Sequence, residues 1–168
     1  MASDTAIDRN WISKEFSRGI DAEKELLEDA KARSESPPDP SLGVLYHEIA
    51  AADERHRAII ETIATRYGHV PARSVAGGIG ETLGRLKGKV SDMGSSPLQL
   101  ISHDLNMKAN AVHWSVAWVQ AFEAIGDPES ARELSVVLTE QKSHCVALQD
   151  GLNRMVLRGA SGKDVAEK

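Results

Sequence analysis

The sequence of 168 residues contains little cysteine, few aromatic residues and no long apolar run. Its one cysteine, Cys145, cannot form an internal disulfide and has no partner at a zinc-ligand spacing, so we expect a core thiol. Nowhere do about 18 apolar residues occur together, and the first ten residues lack the pattern of a signal peptide. We therefore expect a cytoplasmic protein that does not bind membranes.

Clusters of basic residues are also missing. The 20 Lys and Arg are interleaved with 25 Asp and Glu, and the net charge is −5. Nucleic acid is therefore not expected as a partner, because a phosphate backbone requires a basic surface. No Ser-His-Asp or Cys-His arrangement has a local context typical of nucleophilic catalysis. The length and the ordinary apolar content indicate a single globular domain with one core.

Apolar residues recur at alternating spacings of three and four in four long segments, which is typical of helices packed in a bundle. Turn signals separate these segments, among them Ser41 as an N-cap, Gly68 as a left-handed C-cap, and Pro97 and Asp127 at helix starts. The predicted helices span residues 5–33, 41–67, 98–125 and 128–158, and residues 159–168 are expected to form a flexible tail.

The connection over residues 68–97 is far longer than neighbouring antiparallel helices need. A chain that must return along the whole bundle before the third helix would need this length, so we predict two helical hairpins joined by a long crossover. Gly80, Gly84 and Gly88 predict a short helix within residues 79–90 that lies close to the bundle. A phosphate-binding loop at Gly88-Lys89 is not supported, because its other glycine and the following Ser or Thr are missing. The predicted fold is an all-α four-helix bundle.

Each predicted helix places one polar residue near the middle of its apolar stripe. These four residues are Glu23, His56, Lys108 and Gln141. Asp53 lies one turn before His56 on the same face, and His144 lies one turn after Gln141. Burying such groups without partners costs several kcal/mol for a charge and about 1 to 3 kcal/mol for a neutral group. We therefore expect these side chains either to satisfy one another or to bind a ligand.

Two short motifs carry a resemblance to a known family. Residues 52–56 read ADERH and residues 141–144 read QKSH. Together with the helix lengths and the crossover, they make residues 5–158 resemble the ferritin-like superfamily, especially its small bacterial rubrerythrin-related and stress-associated members. The resemblance implies a dimetal site in which two helices each give a Glu and two each give a Glu-x-x-His. It implies ligands at Glu23, Asp53, His56 and His144, whereas Lys108 and Gln141 stand where the family has Glu.

These two departures leave two hypotheses open. An ammonium at Lys108 cannot ligate a metal while protonated and would repel one, so Lys108 is expected to form a buried network with Glu23 and Asp53. In this hypothesis Gln141, His56 and His144 exchange hydrogen bonds, and the protein is non-catalytic or stress-associated. In the alternative, a single iron or manganese ion is held by Glu23, Asp53, His56 and His144, helped by Glu140, in an oxidoreductase or iron-handling protein. Burial could also make Lys108 reactive, although no motif supports that.

Other chemically versatile residues are expected to be structural. His47, His103 and His113 lie off the apolar stripes and are predicted at the surface, although His113 with Asn110 could flank a second site. Trp114 and Trp118 are expected to pack on one face of the third helix. Together with Met107 and Ile125 they could also cover a face used for dimerisation, and we expect a homo-oligomer.

Overall fold

The computed structural model describes residues 8–69 and 95–161, which are helical and contain no strand. Within these ranges there are four long helices: α1 (Arg9–Glu35), α2 (Gly43–Arg66), α3 (Pro97–Ala124) and α4 (Pro128–Ala160), with a 3₁₀ turn over Pro40–Leu42. The prediction of four helices is confirmed, with bounds that differ by a few residues. The short helix predicted within residues 79–90 lies outside the described residues, as do residues 162–168 of the predicted tail. Residues 159 and 160, which were predicted to belong to that tail, are helical in α4. In the described ranges, no helix has the length and apolar character needed to cross a membrane.

Side-chain caps fix the starts of α3 and α4 where the sequence predicts them. Ser96 Oγ accepts from the backbone N–H of Gln99 at 3.3 Å, and Gln99 Oε1 accepts from the backbone N–H of Ser96 at 2.7 Å. This reciprocal pair is a capping box, with Pro97 at the first helical position. Asp127 Oδ1 accepts from the backbone N–H of Ser130 at 3.0 Å and caps α4.

The second helix begins differently from the prediction. Ser41 is not its N-cap, because Asp39 Oδ1 accepts from the backbone N–H of Ser41 at 2.9 Å and starts the 3₁₀ turn that precedes α2. At the other end of α2, Gly68 has φ +89°. This confirms the predicted left-handed cap, a conformation that a residue with a Cβ rarely adopts.

The helices pack as two hairpins. α1 packs on α2 and α3 packs on α4, and the hairpins meet through α2 with α4 and α1 with α3. One apolar cluster joins the start of α1 to the end of α2, the end of α3 and the start of α4; its buried members are Ile12, Phe16, Ile60, Ile63, Ala64, Tyr67, Trp118, Phe122, Ala131 and Leu134. A second cluster joins the opposite ends; its buried members are Ala30, Leu42, Tyr46, Ile49, Ala50, Ile101 and Leu148. The chain therefore leaves α2 at one end of the bundle and enters α3 at the other.

The tryptophans of α3 belong to the interior packing. Trp118 is buried, and its ring centroid lies 4.5 Å from that of Phe16 in an edge-on arrangement. Trp114 lies directly over Gly19 of α1, where a Cβ would come within 2.3 Å of Trp114 Cζ2. The expectation of packing is confirmed, so the indole of Trp118 is not exposed to a partner. The homo-oligomer stays a prediction.

Candidate functional site

A polar layer lies at mid-height of the bundle, between the two apolar clusters. All four helices contribute to it. Its buried members are Glu23, Asp53, His56, Lys108, Ser115 and Gln141, and His144 is half-buried beside them. The inward positions predicted for these polar residues are therefore confirmed, and Ser115 is an additional member.

The charged centre of the layer is an ion pair between α3 and α2. Lys108 Nζ donates a hydrogen bond to Asp53 Oδ1. His56 Nδ1 lies 3.5 Å from the same oxygen. Lys108 is 3% exposed and Asp53 is 0% exposed. An ion pair this deeply buried needs good geometry to offset the loss of hydration of both charges, and removal of one partner leaves the other uncompensated.

Gln141 bridges α3 and α1. Its Oε1 accepts from Ser115 Oγ at 2.9 Å, and its Nε2 donates to Glu23 Oε1 at 2.8 Å. The predicted exchange of hydrogen bonds between Gln141 and the two histidines is therefore wrong. A carboxylate is a stronger acceptor for the amide NH₂ than a neutral imidazole, and Glu23 lies within its reach.

His56 connects the buried layer to the rim of the bundle. Its Nε2 lies 2.8 Å from Glu140 Oε2, which also accepts from Arg55 Nη2 at 3.1 Å. Burial raises the pKa of Glu140, but the hydrogen bond from His56 and the charge of Arg55 outweigh this and leave the pKa below its usual value. Glu140 is thus an ionised acceptor, so His56 carries a hydrogen on Nε2, and Nδ1 faces Asp53.

His144 lies next to His56 without bonding to it. The two ring centroids are 6.4 Å apart. His144 Nδ1 is buried and has no hydrogen-bond partner among the described residues, so its predicted bonds to His56 and Gln141 are wrong. Burial, and then the positive charge of Lys108, lower the pKa of His144 to about 4. The imidazole is therefore neutral at neutral pH.

Three residues at the centre of the layer lie close enough together to hold a cation. Glu23 Oε2, Asp53 Oδ2 and His56 Nδ1 are buried and unpartnered within the described part of the chain. The three residues each offer a ligand atom within 4.8 Å of the others. Burial, and then the charge of Asp53, raise the pKa of Glu23, although Lys108 partly opposes this. The donor set does not fit two metal ions, because Lys108 and Gln141 supply no bridging carboxylate.

A second buried ion pair was missed by sequence reasoning. Asp104 Oδ2 accepts from Arg33 Nε at 3.1 Å and from Tyr46 Oη at 2.8 Å. Asp104 precedes Lys108 by one helical turn on α3, and this spacing is the sequence signal from which its inward position could have been predicted.

The remaining candidates lie outside the layer. His47, His103 and His113 are exposed, as predicted. Cys145 was predicted to be a core thiol, but it is only half-buried. Burial raises the pKa of the Cys145 thiol, so a thiolate nucleophile is not favoured there.

Comparison with protein-family models, curated proteins and solved structures finds no match to this chain. The resemblance to ferritin-like proteins therefore rests on the residue pattern alone.

Proposed function

We propose that this chain is a ferritin-like four-helix bundle in which a lysine–carboxylate network stands where the family holds two metal ions. In this proposal the protein is non-catalytic or stress-associated. The observation that carries it is the hydrogen bond from Lys108 to Asp53 at the centre of the polar layer. Lys108 stands at a position where the ferritin-like pattern has a glutamate, and it supplies a positive charge inside the bundle.

Electrostatics support an internal charge balance. A divalent cation placed about 4 Å from the ammonium of Lys108 would meet a repulsion of roughly 8 kcal/mol at an effective dielectric constant near 20. The ammonium already neutralises Asp53. The NH₂ group of Gln141 donates a hydrogen bond to Glu23. One carboxylate that would ligate a metal is therefore already hydrogen-bonded within the protein.

A second candidate function is supported by the unpartnered donors. Glu23, Asp53 and His56 each have one buried atom without a hydrogen-bond partner among the described residues, and His144 lies beside them. A single iron or manganese ion would suit these carboxylate and imidazole groups. The chain would then be an oxidoreductase or iron-handling protein with a reduced ligand set, and Lys108 would have to move away from Asp53.

Metal analysis of the purified full-length protein separates these two functions. The protein is produced in medium supplied with iron and manganese, and its metal content is measured against protein concentration. We expect a folded helical protein without stoichiometric transition metal. Near-stoichiometric metal that is lost in His56→Ala, and kept in the exposed control His103→Ala, would overturn the proposal in favour of the single-metal function.

A further inference from the structure

Three side chains from three helices meet in the polar layer with almost no exposure to solvent. Lys108 of α3 is 3% exposed, Asp53 of α2 is 0% exposed and Glu23 of α1 is 2% exposed. Lys108 Nζ contacts Asp53 Oδ1 directly. Glu23 and Asp53 bring oxygen atoms within 4.8 Å of each other, and Glu23 also interacts electrostatically with Lys108. An amine, a carboxyl group and a second carboxyl group are thus held together away from water.

We propose that Lys108 and Asp53 condense to an intramolecular isopeptide bond, with Glu23 as the group that carries the proton. The bond would join Nζ of Lys108 to Cγ of Asp53. It would make a covalent link between α2 and α3, and so between the two helical hairpins. The inference goes beyond the proposed function: the bond would replace the Lys108–Asp53 ion pair by a neutral amide, which, like the ion pair, supplies no bridging carboxylate for two metal ions.

The reaction balances without any external reagent. One ammonium hydrogen first passes to Oδ1 along the existing hydrogen bond, which gives Nζ the lone pair with which it attacks Cγ of Asp53. The Nζ–Cγ bond forms, and a second hydrogen passes from Nζ to Oδ1 through Glu23 Oε2. The Cγ–Oδ1 bond then breaks, and Oδ1 leaves with both hydrogens as one water molecule. Glu23 returns to its starting protonation state, so the net change is the loss of one water.

Glu23 is oriented for this role by its other contacts. Its Oε1 is held by the amide of Gln141 at 2.8 Å. Its Oε2 is buried and unpartnered among the described residues, and so is Oδ2 of Asp53. Glu23 Oε2 is therefore free to take the second hydrogen from Nζ and to pass it to the departing Oδ1, while Oδ2 stays as the amide oxygen. Gln141 in turn accepts a hydrogen bond from Ser115 Oγ at 2.9 Å. Gln141 therefore acts as a positioning residue for Glu23.

Burial favours the reaction in two ways. Fixed contact between the reacting groups replaces a bimolecular encounter, an effect that reaches an effective concentration of about 10⁵ M or more in well-oriented cases. Water is excluded, which disfavours hydrolysis of the amide once it has formed.

The test is the intact mass of the denatured full-length protein, followed by tryptic mapping. We expect a mass lower by one water molecule than that of the unlinked chain. Trypsin should fail to cut after Lys108, and residues 34–55 should be recovered linked to residues 90–132. The unlinked mass, with cleavage after Lys108, would overturn the proposal whatever the metal content. Stoichiometric metal on the unlinked chain would overturn the proposed function as well.

Two variants assign the roles. Lys108→Arg should show no water loss relative to its own sequence, because the guanidinium is a poor nucleophile. Glu23→Gln keeps a similar shape and should leave most of the chain unlinked; complete linkage in this variant would contradict the role of Glu23. Water loss that persists in Lys108→Arg would indicate dehydration at another site and would also overturn the bond.

Discussion

Lys108 on α3 donates a hydrogen bond to Asp53 on α2, and both side chains are almost completely buried. The contact links the two hairpins at mid-height, where the apolar clusters at either end of the bundle do not reach. It is therefore the point at which the charge balance of the polar layer can be tested directly.

Removal of the lysine charge should destabilise the protein strongly. In Lys108→Met the carboxylate of Asp53 stays buried without its cation, and the loss of one partner of a buried ion pair costs about 3 to 5 kcal/mol. Urea unfolding followed by circular dichroism measures this change. Lys142 is exposed on α4, so the control Lys142→Met should change the free energy of unfolding by less than about 0.5 kcal/mol. Equal effects of the two substitutions would show that the buried pair has no special role.

Replacement of the lysine by a carboxylate should create a metal site. Lys108→Glu removes the repelling charge and supplies the carboxylate that the ferritin-like pattern has at this position. We expect the variant to bind Mn²⁺ in isothermal titration calorimetry where the parent chain does not. Lys142→Glu adds the same charge at the surface and should not gain this binding. If Lys108→Glu gains none either, Lys108 does not occupy a ligand position.

Much of this layer could be predicted from the sequence, because helical periodicity determines which face a residue occupies. Glu23, His56, Lys108 and Gln141 each interrupt an otherwise apolar stripe, and all four are buried. The length of the connection between α2 and α3 likewise predicted that α3 begins at the opposite end of the bundle from the end of α2, as the two apolar clusters confirm.

The hydrogen-bond partners could not be predicted in the same way. Periodicity gives the face of each helix but not the relative heights of side chains on different helices. For this reason the partners of Gln141 were predicted wrongly: it bonds to Glu23 and Ser115 and not to the histidines. Arg33 lies near the end of α1, and only the packing of α3 shows that it reaches Asp104.

Loss of the Ser115 hydroxyl should weaken the Gln141 bridge. Ser115→Ala leaves Gln141 Oε1 buried without its donor, which costs about 1 to 3 kcal/mol for an unsatisfied polar group. Chemical denaturation measures the loss, and Ser143→Ala on the exposed face of α4 is the matched control. A change as small as that of the control would mean that another donor satisfies the amide oxygen.

Mild acid should destabilise the fold through His144. Its pKa is about 4 in the folded chain, below the ordinary value of about 6.5. Between pH 6.5 and pH 4, the unfolded chain binds a proton at His144 that the folded chain does not bind. The stability that neutral His144 contributes is therefore complete above the pKa of the unfolded chain and is lost as the pH falls toward 4.

The comparison of variants isolates this contribution. Glu23 and Asp104 have raised pKa values, so their protonation stabilises the folded chain as the pH falls. Both residues are present in every variant compared, so their effect cancels in the comparison. The drop in unfolding free energy from about pH 7 to about pH 5 should be smaller in His144→Gln than in the parent. The exposed control His103→Gln should keep the parental drop. An unchanged drop in His144→Gln would assign the acid sensitivity to other groups.

The contact between Gly19 and Trp114 should tolerate no added methyl group. An alanine Cβ at Gly19 would lie 2.3 Å from Trp114 Cζ2, so the indole or the helix must move. Alanine is favoured over glycine in a helix by about 1 kcal/mol, but overpacking typically costs about 1 to 3 kcal/mol. We expect Gly19→Ala to lower the thermal midpoint and to change the tryptophan fluorescence. Gly159 is exposed within α4, and Gly159→Ala should be neutral or stabilising. A stabilised Gly19→Ala would contradict the close approach of α1 to α3 at this position.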